Sequence, residues 1–246
     1  MIFDAHVHIG RNTMFHVDID ADGLVAIADR AGIDRMMVTE FSALLYDSFE
    51  GNELMRKFHR QHPDRIYPYY TVSSPRYGKK VIDELERYVN DYGFVGLKIY
   101  STPPTHLMVD PYMYPLIEKA AQMRIPILSH CNAYECEDVL SRIPEAMLIN
   151  AHMNGSPQGH GDWQRSIAAA KAFPSLILDT TTSSFDNAMI ETAVEELGPE
   201  RIVYGSDTPL LDPILQIQKV RGAEISDEAK ALILGGNIER LLSLRR

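Results

Sequence analysis

The sequence predicts an α/β protein, a single-domain (β/α)8 TIM barrel. Three observations lead there. Short apolar runs rich in β-formers alternate with amphipathic helical patterns along the whole chain. Eight such pairs occur. The length, 246 residues, is the usual one for an eightfold barrel. Strict alternation of strand and helix implies parallel strands with right-handed crossovers. An open doubly wound sheet would require a glycine-rich phosphate turn after its first strand, and neither G-x-G-x-x-G nor a Walker sequence occurs.

The elements follow in order. The run at 2–9 (IFDAHVHI) has polar residues at alternate positions and precedes a helical pattern at 22–31. The run at 35–39 (RMMVT) precedes a helix at 53–62, and the run at 66–72 (IYPYYTV) one at 79–92. The runs at 94–100 and 125–129 lead to helices at 111–123 and 137–142. The runs at 146–151, 176–179 and 201–205 lead to helices at 163–173, 187–197 and 213–220. A tail adds helical patterns at 226–234 and 238–244. No linker or low-complexity stretch interrupts the series, so residues 1–246 read as one domain.

Composition narrows the function. A net charge of −10 argues against a nucleic-acid partner. No apolar run is long enough to cross a bilayer, so no membrane partner is expected. No signal peptide is visible, and Cys131 and Cys136 are too few for a disulfide scaffold; both facts suit reduced thiols in the cytoplasm. Asn154-Gly155-Ser156 matches a glycosylation acceptor, which carries no meaning without export.

Barrel enzymes hold their chemistry at the C-terminal ends of the strands. His6 and His8 lie at the end of the first run, Lys98 in GLKIY, His130 in PILSHC, His152 in LINAHMNG and Asp207 in VYGSDTP. Six ionisable residues from five strands thus meet on one rim. Singly, each histidine reads as a hydrogen-bonded core or loop residue and Asp207 as a helix cap. Together they read as a metal site. Three polar side chains on one strand face, Asp4, His6 and His8, are costly in a core unless something binds them.

Imidazoles and one carboxylate suit zinc, and also manganese, iron or cobalt. His6, His8, His130 and Asp207 supply at most four ligands to one divalent ion, leaving a position for water. Such an ion lowers the pKa of its water from ~15.7 to roughly 7. His152 is then available as general acid or base, and Asp207 could also accept a proton. Asp4, deeper by strand parity, fits a residue that orients a ligand histidine. His16, His106 and His160 lie in loops on the active face, and His59 and His62 end a helix. Cys131, next to His130, points toward the helix layer. Trp163, the sole tryptophan, packs helix on barrel or reaches substrate.

The stretches DAHVHIG, FVGLKIY, ILSHCN, INAHMNG, PERIVYGSDTPLLDP and ILGGNIERLL, in that order, resemble the amidohydrolase superfamily. More narrowly they resemble the amidohydrolase-related group that contains aminocarboxymuconate-semialdehyde decarboxylase and related hydrolases and decarboxylases. The resemblance implies metal binding by His6, His8, His130 and Asp207, with His152 as the catalytic histidine. It puts Lys98 where other branches carry a carboxylated lysine bridging two metals. In the branch most resembled one metal is the rule, which leaves Lys98 to touch substrate or support a ligand. The resemblance also implies a homodimer.

The expected function is metal-dependent hydrolysis of an amide, ester or lactone of a small molecule. The alternative is non-oxidative decarboxylation of a small carboxylic acid. A non-catalytic metal-binding protein comes third, since its site would be closed and His152 idle. Decarboxylation favours cationic and aromatic loop residues. The chain offers Arg76, Tyr77, Tyr100 and Arg165, a modest supply, and so hydrolysis leads.

Overall fold

The computed structural model describes residues 1–101, 107–153, 162–182 and 187–245. His106, His160 and the Asn154 acceptor lie outside them. Nine strands occur in these residues: β1 (Phe3–Asn12), β2 (Val17–Ile19), β3 (Arg35–Glu40), β4 (Ile66–Val72), β5 (Gly96–Tyr100), β6 (Ile127–His130), β7 (Leu148–Asn150), β8 (Leu176–Asp179) and β9 (Ile202–Val203). Helices run between them: α1 (Ala21–Ala31), α2 (Phe41–Leu45), α3 (Ser48–Gln61), α4 (Lys79–Tyr92), α5 (Tyr114–Gln122), α6 (Ala133–Arg142), α7 (Trp163–Ala172), α8 (Met189–Leu197) and α9 (Pro213–Gly222). The tail holds α10 (Asp227–Ala231), a π-turn at Leu232–Gly236 and α11 (Asn237–Ser243).

The sheet order is β2-β1-β3-β4-β5-β6-β7-β8-β9, parallel except for β2. Its ends meet. Val7 bridges Thr208 in parallel, and Ala5 N donates to Tyr204 O (2.9 Å), Asp207 N to His6 O (2.8 Å) and His8 N to Thr208 O (2.7 Å). Eight parallel strands thus close into a barrel, the (β/α)8 arrangement the alternation predicts.

The apolar runs are continuous because parallel strands are buried on both faces. Inner side chains Phe3, Ala5, Met37, Tyr69, Leu128, Ile149, Ile177 and Val203 form one cluster, which Ile238 and Leu241 of α11 join. Outer side chains such as Val7, Ile9, Val38, Ile99 and Leu148 pack under the helices in a second cluster. Local signals fix the helix ends. Asp20 caps α1 through Gly23 N, and Gly32 ends it in the left-handed region. Asn132 and Glu135 form a reciprocal capping box at the start of α6.

Four details differ from the sequence reading. Strand β1 runs on past residue 9 and folds back through β2, pairing Gly10 with Ile19 and Asn12 with Val17. A short helix, α2, follows β3 directly. Helices α3 and α6 begin at Ser48 and Ala133, earlier than 53 and 137, because Asp47 and Asn132 cap them there. The β1–β3 register also shifts between Asp4 and Val7. That irregularity breaks the alternation expected of Asp4, His6 and His8.

Candidate active site

His6, His8, Lys98, His130, His152 and Asp207 all line one pocket at the C-terminal mouth of the barrel, a cavity of about 590 Å³. Each is less than 10% exposed. Strand ends β1, β5 and β6 carry His6, His8, Lys98 and His130, while His152 and Asp207 follow β7 and β9. The two loop residues have positive φ, 59° for each. Non-glycine residues rarely adopt this conformation, and it concentrates where side chains must be aimed.

The floor is a chain of short contacts. His6 Nδ1 lies 2.8 Å from Asp179 Oδ2. A carboxylate there accepts the Nδ1 proton and leaves the Nε2 lone pair facing the pocket. Lys98 Nζ lies 3.0 Å from that Nε2. Asp207 Oδ1 lies 3.0 Å from His8 Nε2 and 3.6 Å from His6 Nε2. His152 Nδ1 lies 3.1 Å from Thr181 O, so this nitrogen carries the proton and Nε2 is the accepting atom. The His152 ring lies 5.0 Å from that of His6 and 5.0 Å from that of His130.

Burial dominates the charge states. It lowers the pKa of His6, His8, His130 and His152, keeping the rings neutral, and takes Lys98 down to about 8. Burial also opposes ionisation of Asp207, but the His8 hydrogen bond and the neighbouring His6 hold its carboxyl well below the usual range. Neutral imidazoles around one persistent carboxylate are the protonation states a metal ligand set needs. Donor atoms of His6, His8 and Asp207 lie within 4.8 Å of one another. The buried His8 Nδ1 has no hydrogen-bond partner among the described residues. These residues fit a divalent cation. His130 lines the same pocket without joining that three-residue cluster.

Several expected residues turn out to serve elsewhere. Asp4 does not reach a histidine ring: its Oδ1 accepts from His6 N (3.1 Å) and Ser206 N (3.0 Å), tying β1 to the segment that carries Asp207. Trp163 packs against the outer core from α7, beside Ile167 and Thr192, away from the pocket. Arg76 is exposed, over the Tyr112 ring and 4.0 Å from Asp110, and Tyr77 packs on Phe49. Arg165 pairs with Glu137 and covers Tyr134. Tyr100 does line the pocket, 5.0 Å from the His130 ring. His16 is exposed at the β1–β2 turn; His59 bonds Ile66 O and His62 pairs with Asp22. Cys131 and Cys136 are free thiols, 3.3 Å apart in the helix-side core.

The sequence reading missed Asp179, which ends its strand run just as His130 ends another. It also missed the apolar wall of the pocket: Met14, Phe15, Phe41, Leu44, Leu45 and Leu210. Phe41 belongs to the unforeseen α2, and Met14 and Phe15 to the unforeseen hairpin.

Fold and site together define a parallel eightfold barrel with a histidine–aspartate cluster at its C-terminal mouth. The chain belongs to the amidohydrolase family, which it matches over residues 4–244. No curated protein sequence matches it. Among solved structures it is similar to the 5-carboxyvanillate decarboxylase of Sphingomonas paucimobilis, at 15% identity and TM-score 0.77 over 98% of both chains. It is also similar to a dihydroxybenzoic acid decarboxylase of Polaromonas with bound manganese and the inhibitor 2-nitroresorcinol, at 16% identity and TM-score 0.76, covering 100% of this chain and 97% of that one. The 4-oxalomesaconate hydratase of Rhodopseudomonas palustris shares 18% identity at TM-score 0.73, over 99% and 96% of the two chains. At these identities the likeness is one of fold. No helix among the described residues is long and apolar enough to cross a membrane.

Proposed function

We propose that this protein is a divalent-metal-dependent lyase that removes CO₂ from a small carboxylic acid with a flat apolar body. The observation that carries the reading is the make-up of the pocket. One buried cation, Lys98, stands on a floor of histidines and Asp207, under walls of Phe15, Phe41, Met14, Leu44, Leu45 and Leu210. A carboxylate suits that floor and a planar hydrocarbon suits those walls. The two decarboxylases of the same fold support this choice. Sequence alone favours hydrolysis because the loop arginines are few. Neither Arg76 nor Arg165 lines the pocket, and Lys98 supplies the cation at the floor instead.

His6, His8 and Asp207 would hold the ion, with His130 as a fourth candidate; zinc or manganese fits this mixed nitrogen and oxygen set. When bound, the ion draws electron density from a substrate oxygen. Lys98 binds and orients the carboxylate. The apolar wall excludes water, which strengthens the Lys98 attraction. The C–C bond then breaks with its electron pair left on carbon. The proton that replaces CO₂ on that carbon comes from solvent, and His152 Nε2, the accepting atom of a neutral ring, relays it.

Hydrolysis is the second reading. The same ligand set and the membership of the amidohydrolase family favour it. One assay separates the two. The metal-loaded protein is incubated with hydroxybenzoates and unsaturated carboxylates, and separately with lactones, esters and amides. CO₂ release from the first set is expected. Turnover of the second set alone would establish hydrolysis instead.

A further inference from the structure

Four histidine rings crowd the pocket, and two of them, His6 and His152, are bonded at Nδ1. Asp179 holds His6, and the Thr181 carbonyl holds His152. His8 has no such tether among the described residues, although its Nδ1 is buried. A ring bonded only at Nε2 can still swivel about its Cβ–Cγ bond, a torsion with broad, shallow preferences. Something else must set its plane.

Phe41 does so in this structure. Its ring lies against the face of His8 with centroids 4.9 Å apart and planes only 13° from parallel. An aromatic pair at that separation and angle is an offset stack, a favourable arrangement. Phe41 is itself 2% exposed and fixed from two sides. Glu40 caps α2 by accepting from Ala43 N at 2.9 Å, so the helix that begins at Phe41 starts in one place. From the other side, Gly51 of α3 abuts Ala43; a Cβ on Gly51 would lie 2.3 Å from Ala43 N. The first turn of α2 is therefore held between the end of β3 and α3.

We propose that Phe41 is the positioning residue for His8. The face of its ring restrains the plane of His8, as the Asp179 hydrogen bond restrains that of His6. Its effect on the ion is indirect, through the plane in which His8 presents Nε2. This inference rests on the reading that His8 binds a divalent ion.

The test is Zn²⁺ affinity of the full-length, metal-stripped protein, measured by competition with a chromophoric chelator. Phe41→Leu and Phe41→Met keep much of the volume and lose the ring, and Phe41→Tyr keeps the ring. The ringless variants should bind Zn²⁺ about tenfold more weakly, the usual scale for losing a group that orients a ligand. Phe41→Tyr should stay within about twofold of wild type. Wild-type affinity in both ringless variants would overturn the proposal, and so would a Tyr variant as weak as the Leu one. Wild-type protein that binds no Zn²⁺, Mn²⁺ or Co²⁺ would overturn the metal reading itself, a separate result.

Discussion

Asp179→Asn is the most informative single change. The Asp179 carboxylate accepts from three donors: His6 Nδ1 at 2.8 Å, Thr181 N at 2.8 Å and Thr181 Oγ1 at 2.7 Å. Asparagine keeps the volume and one oxygen for Thr181, but loses the charge. If its NH₂ group faces His6, Nδ1 must become the acceptor and the ring proton moves to Nε2, the atom that faces the pocket. If its oxygen faces His6, a charge-assisted bond becomes a neutral one, and that difference is about 1–1.5 kcal/mol. Loss of such an orienting partner typically costs 10–100-fold in metal affinity, roughly 1.4–2.7 kcal/mol. The two estimates overlap near tenfold. Chelator competition with Zn²⁺ on metal-stripped wild type and Asp179→Asn reads this directly. Equal affinities would refute the claim that Asp179 sets the tautomer of His6.

The other predictions concern proton transfer and pH. His152→Asn should retain the metal and lose about 10²–10⁴-fold in turnover, the usual contribution of a positioned proton donor; loss of the metal would instead make His152 a ligand. Burial pushes the Asp4 carboxyl up to about 8, against an unfolded value of about 3.9. The folded state therefore keeps this proton longer than the unfolded one. Stability from Asp4 is complete below about pH 4 and drains away as pH rises toward 8. Asp4→Asn keeps an acceptor for His6 N and Ser206 N without that penalty. It should gain melting temperature relative to wild type on going from pH 5 to pH 8.5, and melting curves that stay parallel across this range would count against it.

Much of the fold is legible in the sequence because its strands are parallel and buried on both faces, which makes each one an apolar run. Short or irregular pieces are not. Residues Val17–Ile19 and Phe41–Leu45 are too brief to show a period, yet they bring Phe15 and Phe41 to the pocket. Strand-end position identifies His6, His8, Lys98, His130, His152 and Asp207 as pocket residues, and the same rule applied to LILD points to Asp179, which backs His6 without lining the pocket. Alternation misleads at Asp4, because the register shift before Val7 sends its carboxylate to backbone N–H groups. The directions of Arg76 and Arg165 follow from neighbours distant in sequence, Tyr112 and Glu137, which no local pattern encodes.

The central claim is that His6, His8 and Asp207 hold a divalent ion beside Lys98 and His152. Anomalous diffraction from crystals of the zinc-loaded protein, collected on both sides of the zinc edge, tests it most directly. One peak is expected, about 2.0–2.2 Å from a nitrogen of His6, a nitrogen of His8 and an oxygen of Asp207. No peak among these side chains, or two peaks bridged by a carboxylated Lys98, would contradict it.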